Sequence, residues 1–209
     1  MVNIAVLVSG GGTNLQAILD AQARGEIKNG RVRAVISSNE SAYALERARN
    51  AGVPGYVMKK RDYASSAEYC AALTRFLREK SVELVVLAGF MTVLDAEFCR
   101  EFENRIINVH PSLIPSFCGD GYYGLHVHEA ALRKGVKVTG ATVHFVNAIT
   151  DGGPIIAQKA VEVLPDDTPE VLQKRVMAQA EHVLLPRVVS LFCEGRLSVS
   201  ADGIVTISQ

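Results

Sequence analysis

The chain has 209 residues, enough for one generous domain, and its 48% hydrophobic and 21% charged residues are ordinary globular composition. Twenty-two basic side chains balance 22 acidic ones, so no net field draws the chain to nucleic acid or to an anionic membrane. The four cysteines, Cys70, Cys99, Cys118 and Cys193, form no C-x-x-C pair and have no zinc spacing with histidine. That is the pattern of reduced thiols in a cytosolic protein, not of a disulfide framework or a metal site.

The opening MVNIAVLVSGGG has no basic n-region and no small-residue cleavage site, so it reads as a core strand and not as a signal peptide. No segment approaches the roughly 20 apolar residues expected of a membrane span. Val2 to Val8 is a continuous β-branched run that ends in Ser9-Gly10-Gly11-Gly12-Thr13-Asn14, the start of a parallel sheet. Leu15, Ile18 and Leu19 then recur at helical spacing. Strands over Val32 to Ile36, near Tyr56 and Val57, and over Leu84 to Leu87 alternate with helices over Ala42 to Ala51 and Ser65 to Lys80. The alternation predicts an α/β doubly wound, mostly parallel sheet with a Rossmann-like N-terminal half.

Beyond Leu87 the rhythm changes. Ile106 to Val109 is a short strand running into His110-Pro111, followed by a glycine- and aromatic-rich loop over 112–125 and a helix over Val127 to Lys134. Val138 to Phe145 and Pro154 to Val163 read as antiparallel edge strands joined around Asp151-Gly152-Gly153. Thr168 caps a last long helix with Pro169 at its first position, which reaches about Phe192 with a bend expected near Pro186. With no repeat, linker or low-complexity segment, 1–209 is expected to be one domain, its halves 1–100 and 101–196 doing different jobs.

Two places carry chemistry. Glycines between a buried strand and a helix let the backbone approach a ligand, and the free N–H groups of the helix favour an anion. Gly11, Gly12, Thr13 and Asn14 are therefore candidates for a phosphate, although the turn has neither the dinucleotide fingerprint nor the P-loop lysine. Asn108 and His110 project from one face of a strand end, where open α/β sheets place their sites. An imidazole that moves a proton beside an amide that donates to an oxyanion suits acyl transfer. Asp151 is the candidate carboxylate to orient His110, though Asp-Gly is also a common turn dipeptide. His126, His128 and His144 lack cysteine or carboxylate partners at usable spacing and read as surface or core histidines, with no metal expected. Cys118 reads as a bystander.

The combination SGGGTN, LAGFM at Leu87 to Met91, INVHPSLIPSF at Ile107 to Phe117, TVHF at Thr142 to Phe145 and DGGPII from Asp151 resembles the phosphoribosylglycinamide formyltransferase family from Val2 to about Arg196. The resemblance implies transfer of a formyl group from 10-formyltetrahydrofolate to the amine of glycinamide ribonucleotide in purine synthesis. It implies catalytic roles for Asn108, His110 and Asp151. Gly11, Gly12, Thr13 and Asn14 would hold the phosphate, and Glu181 of the pair Glu181-His182 would hold the ribose. Folate would be lined by Leu87, Phe90, Met91, Thr92, Val93 and Leu94 on one side and by Val146, Asn147 and Thr150 on the other. The partners implied are these small molecules, with no nucleic acid and no membrane, in a monomer or homodimer.

Three departures stand out. Ser66 takes the place of an arginine that many members offer to the folate tail, leaving Lys59, Lys60 or Arg61 for it. Met177 to Ala180 lacks a lysine that some members place near the phosphate, leaving the backbone with help from Lys174 or Arg175. The loop over 118–124 is longer than in short-loop members and is a candidate lid. Other readings of the same residues are a formyltetrahydrofolate hydrolase, another folate-dependent formyltransferase such as the methionyl-tRNA enzyme, and a non-catalytic module binding a phosphorylated ligand.

Overall fold

A computed structural model describes residues 1–208. Seven strands form one sheet in the order β3-β2-β1-β4-β5-β6-β7. They are β1 (Val2–Val8), β2 (Gly30–Ser37), β3 (Gly55–Val57), β4 (Leu84–Leu87), β5 (Ile106–His110), β6 (Val138–Phe145) and β7 (Ile155–Glu162). The first five are parallel, and β6 and β7 pair antiparallel, as the change of rhythm predicted.

Alternation along β1 sets the layers. Ile4, Val6 and Val8 face a core shared with α1 (Thr13–Ala23), α2 (Tyr43–Asn50) and the last long helix, while Ala5 and Leu7 face α3 (Ser66–Glu79) and α4 (Ala96–Glu101). Helices on both faces explain why these strands are apolar without a polar alternation. α4 was not anticipated, although Asp95 caps it by accepting from Phe98 N at 2.8 Å. α5 (Leu125–Lys134) follows the long loop, and the tail forms a separate hairpin of β8 (Leu197–Val199) and β9 (Val205–Ile207).

The last helix begins at Pro169 with Thr168 as its cap, accepting from Val171 N. It comprises α6 (Pro169–Val176), a π-helical turn Met177–Glu181, and α7 (His182–Cys193). The irregularity thus falls before Pro186, which sits inside α7. Contrary to the expectation that no segment approaches a span, Pro169–Cys193 is long and apolar enough to cross a membrane. Its apolarity has another use here, since 61% of its most apolar window is buried inside the protein.

Strand ends fix the site. Register pairs Leu7 with Leu87 and Leu87 with Asn108, so the carboxyl ends of β1, β4 and β5 lie level. The glycine turn, the segment 88–94 and His110 therefore emerge along one edge, and the chain order reverses direction between β1 and β4, where open sheets bind ligands.

Candidate active site

The glycine turn has two kinds of glycine. Gly12 has φ 71° and caps α1, and a Cβ there would sit 2.6 Å from Cβ of Ala44, so this glycine answers to helix packing. Gly10 and Gly11 face open space. Among the described residues no side chain caps α1, and no acidic residue lies in its first turn, which leaves its leading N–H groups free for an anion. Asn14 Nδ2 donates to Glu181 Oε2 at 2.7 Å, joining the start of α1 to the end of the π-helical turn. Burial, opposed by that hydrogen bond, pushes the Glu181 carboxyl up to about 7. Asn14 Oδ1 is buried with no partner among the described residues. Of the expected helpers, Arg175 is committed elsewhere: it pairs with Asp167 at 2.5 and 2.6 Å and donates to the carbonyl of Glu162. Arg47, which sequence reasoning missed, donates from Nε to Gly11 O at 2.8 Å.

The second group gathers at β5. Asp151 Oδ2 lies 3.4 Å from His110 Nδ1 and accepts from Gly119 N at 2.9 Å, while its Oδ1 lies 3.6 Å from Nε2 of His144. The structure thus brings Asp151 to His110 and adds His144, which had been read as a surface or core residue. His144 stands opposite Asn108 in the β5–β6 register, and its Nε2 is 3.2 Å from Asn108 Nδ2. Because His144 Nδ1 faces the carbonyl of Phe145 at 2.7 Å, a neutral ring carries its proton there and accepts from Asn108 at Nε2. The signal for His144 was its strand position, readable only once two edge strands are paired. His128 is fully buried with neither ring nitrogen partnered among the described residues, and burial drives it down to about 4, whereas His126 is exposed beside Glu129.

Electrostatics pull His110 in two directions. Burial lowers its pKa, while Asp151 and the Phe117 carbonyl, 2.8 Å from Nε2, oppose that. Asp151 ends below the ordinary carboxylate value: burial raises it, but the neighbouring His144 and His110 rings and the Gly119 N–H together outweigh burial. The result is a carboxylate held below its ordinary value beside an imidazole also held below its own.

Backbone geometry holds this carboxylate. Asp151 has φ 54°, a left-handed conformation that Asp tolerates better than most residues. A Cβ on Gly153 would come within 1.9 Å of the Phe145 carbonyl, so the turn crosses the end of β6 in backbone contact. From the other side the loop over 117–124 closes on the pair, with Phe117 at φ 51° and three of its glycines in the left-handed region.

The expected folate residues flank β5, because β4 and β6 are its neighbours. In the 88–94 segment Met91 and Val93 are 54% and 70% exposed, an unusual amount of apolar surface beside a polar cluster. Met91 N is tied to Ser9 Oγ at 2.9 Å, and Phe90 and Leu94 pack on the core below. Leu87 is buried beneath them, Thr92 is half-buried, and Thr150 is exposed across the cleft. Val146 packs on the same core, and the Asn147 side chain is spent on its own turn, accepting from Ile149 N and donating to Gly152 O. Lys59 and Arg61 both approach Glu40, at 3.0 and 3.7 Å.

Residues 2–189 match the formyl transferase domain family. The chain belongs to that family. Among its relatives, phosphoribosylglycinamide formyltransferase of Escherichia coli is 42% identical over 198 residues, covering 95% of this chain and 90% of that protein. The trifunctional purine biosynthetic protein adenosine-3 of Drosophila melanogaster is 44% identical over 95% of this chain, which spans only 14% of that larger protein. The crystal structure of glycinamide ribonucleotide transformylase 1 from Symbiobacterium toebii superposes with a TM-score of 0.93 at 48% identity, covering 100% of this chain and 95% of that one. As a formyl transferase the chain is a group-transferring enzyme, and its mostly parallel sheet with helices on both faces is the architecture of that neighbour.

Proposed function

We propose that residues 1–209 act as one cytosolic domain that transfers the formyl group of 10-formyltetrahydrofolate to the amine of glycinamide ribonucleotide. The observation that carries this reading is the cluster of Asn108, His110, Asp151 and His144, neighbours within 3.2 to 3.6 Å, at the same sheet edge as the glycine turn. Similarity to proteins bearing the formyltransferase name supports the substrates.

In this reading the phosphate rests on the N–H groups of Gly11, Gly12, Thr13 and Asn14, the ribose meets Glu181, and the amine is thereby held facing β5. Folate lies between Phe90 to Leu94 and Val146 to Thr150, with its formyl carbon beside Asn108. The amine nitrogen attacks that carbon, forming a C–N bond and placing negative charge on the formyl oxygen. Asn108 has two amide protons; one is taken by His144, so the other is free for the oxyanion. With Nδ1 toward Asp151, His110 uses Nε2, once the Phe117 carbonyl yields it, to take the proton of the attacking amine and return one to the folate nitrogen as its bond to carbon breaks. Asp151 holds the ring and stabilises its cationic form.

A spectrophotometric assay with 10-formyl-5,8-dideazafolate, with and without glycinamide ribonucleotide, tests the reading. Amine-dependent loss of the formyl group that disappears in His110→Ala is the expected result. Loss without the amine indicates a hydrolase, and no reaction refutes the reading.

A further inference from the structure

The glycine turn does not hold its shape unaided. Two successive carbonyls in it are captured by α2: Gly10 O accepts from Ala44 N at 3.1 Å, and Gly11 O accepts from Arg47 Nε at 2.8 Å. In a trans peptide the carbonyl of one residue and the N–H of the next point in opposite directions. Fixing those carbonyls toward α2 therefore turns the N–H groups of Gly11 and Gly12 away from it. Among the described residues no hydrogen bond engages the N–H groups of Gly11, Gly12, Thr13, Asn14 or Leu15. They form one unbroken run of free donors.

Arg47 spans the turn and the helix it feeds. While Nε holds Gly11 O, Nη1 donates to Gln16 Oε1 at 3.0 Å in the first turn of α1, and the guanidinium sits 5.0 Å from the Tyr43 ring centre. No carboxylate lies within ion-pair distance of it among the described residues, so its charge adds to the positive end of α1. Ala44 completes the clamp by packing against Gly12.

We propose that Arg47 is a positioning residue for substrate phosphate: by bridging Gly11 O and Gln16 it fixes the turn with its N–H groups facing the anion. This rests on the reading of the turn as the phosphate site. It supplies what the missing lysine near Met177 to Ala180 leaves undone, from the opposite side of the turn and without touching the phosphate. The bridge calls for a planar fork, since Nε and Nη1 reach the two acceptors from separate atoms of one rigid group, whereas an ammonium donates from a single point.

The test compares wild type, Arg47→Lys, Arg47→Met and Gln16→Leu by KM for glycinamide ribonucleotide, kcat, KM for the formyl folate, and competitive inhibition by inorganic phosphate. Arg47→Met is expected to raise KM for the ribonucleotide and Ki for phosphate together by about tenfold, the order of one charge-assisted hydrogen bond. kcat and the folate KM stay within about twofold, because the β5 cluster is untouched. Arg47→Lys loses nearly as much, and Gln16→Leu, which leaves the charge and the Gly11 bond in place, shifts both constants in the same direction by less. Unchanged constants in Arg47→Met overturn the proposal, as does a lysine variant with wild-type constants, which would make Arg47 a simple charge. If inorganic phosphate does not compete with the ribonucleotide in wild type, the phosphate reading of the turn fails first and the proposal with it. Melting temperatures identify a misfolded variant, and Gln16→Leu then decides.

Discussion

The two ends of this site are built on different principles. The glycine turn is contiguous in sequence, with five residues, Gly11 to Leu15, carrying the donors, and only its orientation depends on distant partners. The cluster at β5 has no such contiguity: Asn108, His110, His144 and Asp151 come from two strands and a turn, and meet because β6 pairs antiparallel with β5 and Gly153 lets the turn cross it. A local device tolerates change in its neighbours but depends on its own backbone. An assembled one fails when any supporting segment moves.

The largest effect is expected at the assembled end, where His110→Ala lowers kcat by about 10²–10⁴-fold with little change in KM for the ribonucleotide. Steady-state kinetics with both substrates check this, and a KM effect alone would move His110 out of the chemistry. Gly153→Ala should cost about 3 kcal/mol of stability, because its Cβ meets a backbone carbonyl that cannot swing aside, and activity should fall as Asp151 shifts. Denaturant unfolding measures the first effect and turnover the second.

Glu181 ties the glycine turn to the last helix and brings a pH dependence. Its folded pKa of about 7 lies above the ordinary 4.5, so the folded protein holds its proton where the unfolded chain has lost it. Its stabilising contribution is fully present below pH 4.5 and is gone as pH rises through about 7. Glu181→Gln should remove a decline on the order of 3 kcal/mol across that window, seen as a flatter plot of melting temperature against pH. The smallest effects separate the glycines of the turn. Gly12→Ala should cost about 2 kcal/mol of stability through its positive φ and its contact with Ala44. Gly11→Ala has room for its Cβ and should leave the melting temperature alone while weakening binding of phosphate.

The same contrast governs what could be read before the fold was known. The parallel half was legible because strands buried on both faces are apolar throughout and end in a marked turn. Asn108 and His110 were legible as one face of a strand end. The reach of Asp151 to His110 was implied by resemblance and not by spacing, since 40 residues and a sheet register intervene. His144 was hidden because its role comes from standing opposite Asn108. Arg47 was hidden because a helix of mixed polarity shows no outward sign of which carbonyls its residues will capture. α4 carried its signal in Asp95 and Phe98, but it is too short for periodicity to stand out.

The π-helical turn has a consequence for how this protein tolerates change in length. An α-helix rotates by about 100° per residue, and a turn closed by i to i+5 bonds accommodates one residue more than its neighbours. Met177–Glu181 therefore works as a phase shifter. It lets Leu172 and Val176 face the core on one side of it and Leu184, Leu185 and Val188 on the other, while Glu181 points at Asn14 between them. Removing one residue from this turn would leave a regular helix with two halves that could not both present their apolar stripes, and the carboxylate would rotate off its partner. The extra residue is the local wedge by which one continuous helix serves both the core and the substrate edge.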